Sequence, residues 1–149
     1  MVYLNPMRPW IPFAALALAL SPLLVVHPVR VSGHSMEPAL AEGDLRWALR
    51  AWASSAPRRG EIWIVAGPQG LSIKRVMGLP GDVVVWRGAE LWINGQRQEE
   101  PWVVHPEHSG QGQKACGDGY FVLGDNRPDS LDGRTWGTLP MQAMRERVL

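Results

Sequence analysis

From residue 31 onward the apolar positions come in short runs, rich in β-branched and aromatic residues and broken by Gly and Pro. Residues 45–49 alternate with a period of two, and further runs cover 62–65, 71–76, 83–86, 91–93 and 120–123. Runs of this length and composition are strand signals. Asn94-Gly95 supplies a two-residue hairpin turn, and the stretch from Arg87 to Glu90 supplies another. No amphipathic helical period recurs. The pattern predicts a mainly β domain over residues 30–149, built as a folded-over or partly closed antiparallel sheet. Residues 53–60 are expected to link strands, and the Gly-rich residues 105–119 to form a loop.

The N-terminal pattern is different. Between Arg8 and Arg30 no side chain carries a formal charge, and the stretch is dominated by Ala, Leu and Val. A helix over residues 9–29 reaches about 30 Å, the thickness of a bilayer's hydrocarbon core. The expected layout is a short tail over 1–8, one transmembrane helix over 9–29 and the β domain after it. Pro9 and Pro12 suit a first helical turn, Pro22 kinks the middle, His27-Pro28 marks the far end, and Trp10 sits where interfacial aromatics collect. A cleaved secretory signal and a buried helix compete with this reading. The length of the run, through Val26, and its lack of polar residues favour an anchor. Arg8 lies on one side and Arg30, Arg46 and Arg50 on the other, so charge does not set the orientation.

Composition narrows the function classes. The net charge is +1 and no basic run exceeds Arg58-Arg59, which argues against a nucleic-acid partner. Cys116 is alone, so no intrachain disulfide forms, and its Gly-rich surroundings mark an incidental thiol. His105, His108, Cys116 and Asp118 match no standard zinc spacing, so no metal or other cofactor is expected. Most of the eight Trp are expected in the core, with Trp47 and Trp52 candidates for contact with a membrane surface.

The stretch VSGHSMEPAL places Ser35 on a small-residue turn just beyond the apolar segment. A serine hydroxyl attacks well only if a base takes its proton. His34 is the sequence neighbour, but in an extended chain adjacent side chains point to opposite faces, so no Ser-His pair is evident. The chain has two lysines, Lys74 and Lys114. Lys114 falls in the expected loop, whereas Lys74 shares one face of a strand with Ser72 and Val76. If that face is dry, desolvation favours the neutral amine; being substantially neutral near pH 7 requires roughly 4 kcal/mol of differential solvation. Arginine cannot serve, because its guanidinium stays protonated. On these grounds alone, an ordinary edge-strand surface lysine is the favoured reading of Lys74.

Three segments in order, SGHSMEPAL followed by EGD, then IKRVMGLPGD, then GDNRPDSLDGRTWG, resemble type I signal peptidases. RGEIWIV and ELWINGQ resemble that family's connecting strands. The resemblance implies Ser35 as nucleophile and Lys74 as general base, with Ser130 hydrogen-bonding the lysine amine. It also implies an ion pair between Asp132 and Arg134, a shaping loop over Gly124, Asp125, Asn126 and Arg127, and a structural role for Arg75. The Ser35 backbone N–H is the natural oxyanion donor. Some family members add a serine hydroxyl two positions before the nucleophile, where this chain has Gly33. The span from Asp82 to Gly124 is too short for the accessory β-domain of long members, and Gly133 stands where serine is frequent.

The implied partners are exported preproteins, cut after small residues at positions −1 and −3, and the lipid bilayer. The implied location is a single-pass enzyme in the cell membrane, with its catalytic domain on the extracytoplasmic side. The peptide is expected to add as a strand, its alternate side chains entering two shallow pockets to which Met36 and Ile73 are candidate contributors. A specialised processing peptidase with a single pilin-like or maturation substrate is harder to separate from this reading. A self-cleaving Ser-Lys repressor-type protein lacks the apolar span, and a non-catalytic module has no reason to keep Ser35, Lys74 and Ser130 together.

Overall fold

Alternation along residues 62–78 builds the centre of the molecule. The computed structural model describes residues 25–149. In it β3 (Ile62–Gly67) and β4 (Gly70–Gly78) form a hairpin in which Trp63 faces Lys74 and Val65 faces Ser72. Trp63, Val65 and Val76 are fully buried on one face with Tyr120, Val122, Leu139 and Met144. The opposite face turns Ile62 and Ile73 onto Val31, Met36 and Leu40. The core is therefore two-sided, and Lys74 enters it from the edge.

Around this hairpin lie β1 (Val26–Arg30), β2 (Leu45–Arg50), β9 (Phe121–Leu123) and β10 (Met144–Val148), in the sheet order β1-β2-β10-β3-β4-β9. A second sheet has the order β7-β6-β5-β8, with β5 (Val83–Arg87), β6 (Glu90–Ile93), β7 (Gln96–Arg97) and β8 (Gln111–Ala115). All pairings between these strands are antiparallel. Trp86 stacks on Phe121 at 5.4 Å between ring centres, joining the sheets through a cluster that includes Met77, Leu91 and Cys116. A short helix, α1 (Gly133–Trp136), lies within the third family-like segment. The mainly β antiparallel fold is as expected, and the turn at Asn94-Gly95 has both residues at positive φ.

Three expectations change. The anchor expected over 9–29 lies outside the described residues as far as 24, but from Val26 the chain is strand, pairing Pro28 with Trp47. β1 is an edge strand, where proline is tolerated, and hydropathy alone does not separate a β-branched edge strand from the end of a span. Among the described residues no helix is long and apolar enough to cross a membrane. Second, the loop expected over 105–119 contains β8, whose backbone pairs with β5. Gly112 belongs there because a Cβ at that position would lie 2.3 Å from the Trp86 ring. Third, Cys116, expected in a Gly-rich loop, is buried in the core cluster, and burial pushes its thiol pKa up, in keeping with an unreactive thiol.

Candidate active site

Ser35 and Lys74 come from segments far apart in the chain and meet with 2.7 Å between Nζ and Oγ. β4 presents Lys74 next to the buried Trp63–Val65 face, while Ser35 rides on a turn that buries Met36 and Leu40 as its anchors. Lys74 is only 3% exposed. Burial, the dominant cause, lowers its pKa below the usual lysine range; Asp132 opposes this and Arg134 adds to it. Its second hydrogen bond goes to the carbonyl of Ile73 at 3.1 Å. A neutral amine so placed is able to accept the hydroxyl proton.

His34 does not occupy that role. Its Nδ1 pairs with Glu37 at 3.0 Å and its Nε2 with Glu42 at 3.1 Å. The hydrogen bond to Glu37 is the main cause of a raised imidazole pKa. Both ring nitrogens are engaged away from Ser35.

The loop between β9 and α1 grips the backbone of Ser35. Asn126 donates from its backbone N–H to the Ser35 carbonyl at 3.0 Å and from Nδ2 to the His34 carbonyl at 3.1 Å. Asp132, fully buried, collects the loop: it accepts from the Gly124 N–H, the Ser130 hydroxyl, the Arg134 N–H and the Arg134 guanidinium, the last at 2.9 Å to each oxygen. The expected pair of Asp132 and Arg134 is thus present and bidentate. Ser130 departs from expectation. Its hydroxyl donates to Asp132 at 2.8 Å, and no direct hydrogen bond joins it to Lys74 among the described residues. A buried carboxylate is the stronger acceptor, and it captures the hydroxyl.

Gly124 is required sterically. A Cβ there would lie 2.2 Å from Ser130 Oγ and 2.6 Å from the Ser35 carbonyl oxygen. Gly124→Ala is therefore expected to push the loop off Ser35, costing about 1–3 kcal/mol of stability and most of the activity. Urea melts and hydrolysis assays on the variant check both; a fully active, equally stable Gly124→Ala contradicts the packing described. Gly33 has a different reason, with φ at +87° and open space around it. A serine donor at 33 would strain the backbone, which accounts for its absence there.

Ser35, Lys74, Gly33, His34 and Ser130 line one cleft of about 550 Å³. Ser72 and Gln69 line it as well, polar groups that the sequence did not single out, although Ser72 shares Lys74's strand face. A neighbouring groove of about 360 Å³ is walled by Val29, Ile64, Leu71 and Ile73. Ile73 stands in the wall of this groove, whereas Met36, the other candidate pocket contributor, is 1% exposed and packs in the core with Val31 and Leu40. Val29 escaped notice because its run was read as the end of an anchor.

The model of one protein family, signal peptidase, peptidase S26, matches residues 7–148 of this chain. The chain belongs to the type I signal peptidase family. It is 32% identical to a signal peptidase I of Bacillus licheniformis over 87% of this chain and 79% of that protein. A signal peptidase I of Leptolyngbya laminosa is 34% identical over 80% of this chain, which spans 64% of that longer relative. The crystal structure of a signal peptidase I from Enterococcus faecalis superposes with a TM-score of 0.57 at 30% identity, covering 64% of this chain and 97% of that one. As a member of this family the chain is a serine peptidase, a hydrolase.

Proposed function

We propose that this signal peptidase is a membrane-bound endopeptidase that releases signal peptides from exported preproteins by a Ser-Lys dyad. The observation that carries the reading is the 2.7 Å approach of a buried lysine amine to a half-buried serine hydroxyl. Ser35 Oγ attacks the carbonyl carbon while neutral Lys74 takes its proton. The ammonium then protonates the departing amine of the mature chain, and water, giving its proton to the neutral Lys74, hydrolyses the acyl-enzyme as Lys74 returns that proton to Ser35 Oγ. The Ser35 N–H makes no backbone hydrogen bond among the described residues, so it is available to the oxyanion. Asp132 and Arg134 hold Ser130 and the Gly124–Arg127 loop around the dyad, and Arg75 anchors that loop through Asp125.

Substrate geometry follows from an unpaired edge. β9 pairs with β4 only at Arg75, Val76 and Gly78, leaving the edge of residues 71–74 without a strand on that side among the described residues. An extended peptide added there sends alternate side chains toward the groove of Val29, Ile64, Leu71 and Ile73. That groove shares Ser72 with the cleft of Ser35 and Lys74, and small residues are assigned to positions −1 and −3. The apolar segment before β1 supports a single-pass anchor, and Leu45, Trp47 and Trp52, all more than half exposed on β2 and the turn after it, support contact of the catalytic domain with lipid. The catalytic domain then lies on the extracytoplasmic side, where preproteins emerge.

The purified chain in detergent is expected to cut a preprotein carrying Ala at −1 and −3 at that single bond. Replacing the −1 Ala by Phe is expected to slow cleavage by about 10- to 200-fold. Mass spectrometry of the products reads both; cleavage indifferent to position −1 overturns the substrate assignment.

A further inference from the structure

The segment crossing from β7 to β8 has no place in the chemistry above, yet it touches the loop around Asn126 at three points and Arg75 of β4 at a fourth. Glu100 pairs with Arg127, and their side chains are 7% and 2% exposed. Arg75 Cζ lies over the Trp102 ring, 4.5 Å from the ring centre. Val104 forms a parallel bridge with Asn126. The Ser109 hydroxyl accepts from Arg127 Nη1 at 3.3 Å.

The two arginines reached from this segment flank the grip on the nucleophile. Arg75 holds Asp125 bidentately, at 2.9 and 2.6 Å, and also donates to the Gly60 carbonyl. Arg127 donates to the Gly124 carbonyl at 3.0 Å. Asn126, which holds the Ser35 and His34 carbonyls, sits between the two anchored residues. Trp102 Nε1 is buried with no hydrogen-bond partner among the described residues. An indole that sacrifices its N–H in this way is placed for its ring face, which the guanidinium occupies.

We propose that Glu100 and Trp102 are positioning residues that act through Arg127 and Arg75 to hold Asn126 on the backbone of Ser35. Glu100 neutralises a guanidinium that is otherwise buried with only neutral acceptors, and Trp102 closes the Arg75–Asp125 pair from solvent. The catalytic consequence rests on the peptidase reading, because what Asn126 fixes is the N–H and hydroxyl of the proposed nucleophile. Small displacements of a positioned nucleophile cost up to about 100-fold in rate.

The test uses the full chain in detergent with Glu100→Gln, Trp102→Leu and Trp102→Phe, read by preprotein kinetics against pH and by amide hydrogen exchange. Glu100→Gln and Trp102→Leu are expected to lower kcat by about 10- to 100-fold with KM and the acidic limb unmoved, since neither residue contacts Lys74. The Asn126 amide is expected to exchange at least tenfold faster in both, while Val76 and Val122 keep their protection. Trp102→Phe, which keeps a ring over Arg75, is expected to restore both readouts. Unchanged exchange at Asn126, or loss of protection spread evenly over β4 and β9, overturns the proposal. A wild-type chain that cuts no preprotein sinks the peptidase reading instead, and the exchange data still decide whether Glu100 and Trp102 hold Asn126.

Discussion

Lys74→Ala is expected to lower the rate of peptide hydrolysis at neutral pH by about 10⁴-fold or more, and Ser35→Ala combined with it to lose little beyond that. The two residues act on one proton, so removing either disables the same step and the losses do not add. Lys74→Arg fails as well, because a guanidinium cannot be the base. The pH profile checks the assignment independently. Hydrolysis needs the neutral amine, so the rate rises with pH through the Lys74 pKa and then levels. Burial places that limb below the usual lysine range. The same depression gives the stability a sign: between the folded and unfolded pKa values the unfolded chain binds the extra proton, so stability rises with pH across that window. A rate that stays flat down to pH 5, or a Lys74→Ala variant as active as wild type, defeats the dyad.

The proposed catalytic pair was legible from the three segments that resemble type I signal peptidases; residue chemistry alone only narrowed the choice of base. With two lysines in the chain and arginine excluded as a base, the strand parity of 71–76 already set Lys74 apart from Arg75, and the structure has the same alternation. Central strands were legible for a similar reason, since buried alternating positions such as Trp63 and Val65 leave a period-two trace. Edge elements left none. β1 is written in Val and Pro next to an apolar run, β8 in Gln and Gly, and β10 alternates charges around a few apolar anchors. Each takes its strand form from a partner, β8 from the Trp86 ring that needs Gly112 beneath it. Partner choice within a polar cluster was equally hidden. Ser130 was expected to bond Lys74, but it donates to Asp132, whose full burial the sequence does not reveal.

That burial makes Asp132 the position where a single atom group matters most to stability. Asp132→Ala is expected to destabilise the fold by about 3–5 kcal/mol, the cost of leaving a buried charge without its partner. For a domain of this size the loss corresponds to a fall in Tm of roughly 10 °C or more. The carboxylate satisfies two backbone N–H groups, one hydroxyl and a bidentate guanidinium, and Arg134 itself is 12% exposed at the side chain. Without Asp132 the guanidinium keeps only the carbonyls of Arg127 and Ser130. Asp132→Asn retains the shape and one acceptor, so its cost is smaller, but it leaves the charge of Arg134 uncompensated. Adding Arg134→Met to Asp132→Ala is therefore expected to recover part of the loss, a coupling that a double-mutant cycle in urea measures directly. If Asp132→Ala falls within 1 kcal/mol of wild type, or if Arg134→Met makes it worse by its own full cost, the ion pair is not what holds the loop. In that case the Gly124 contacts with Ser130 and Ser35 must carry the loop alone.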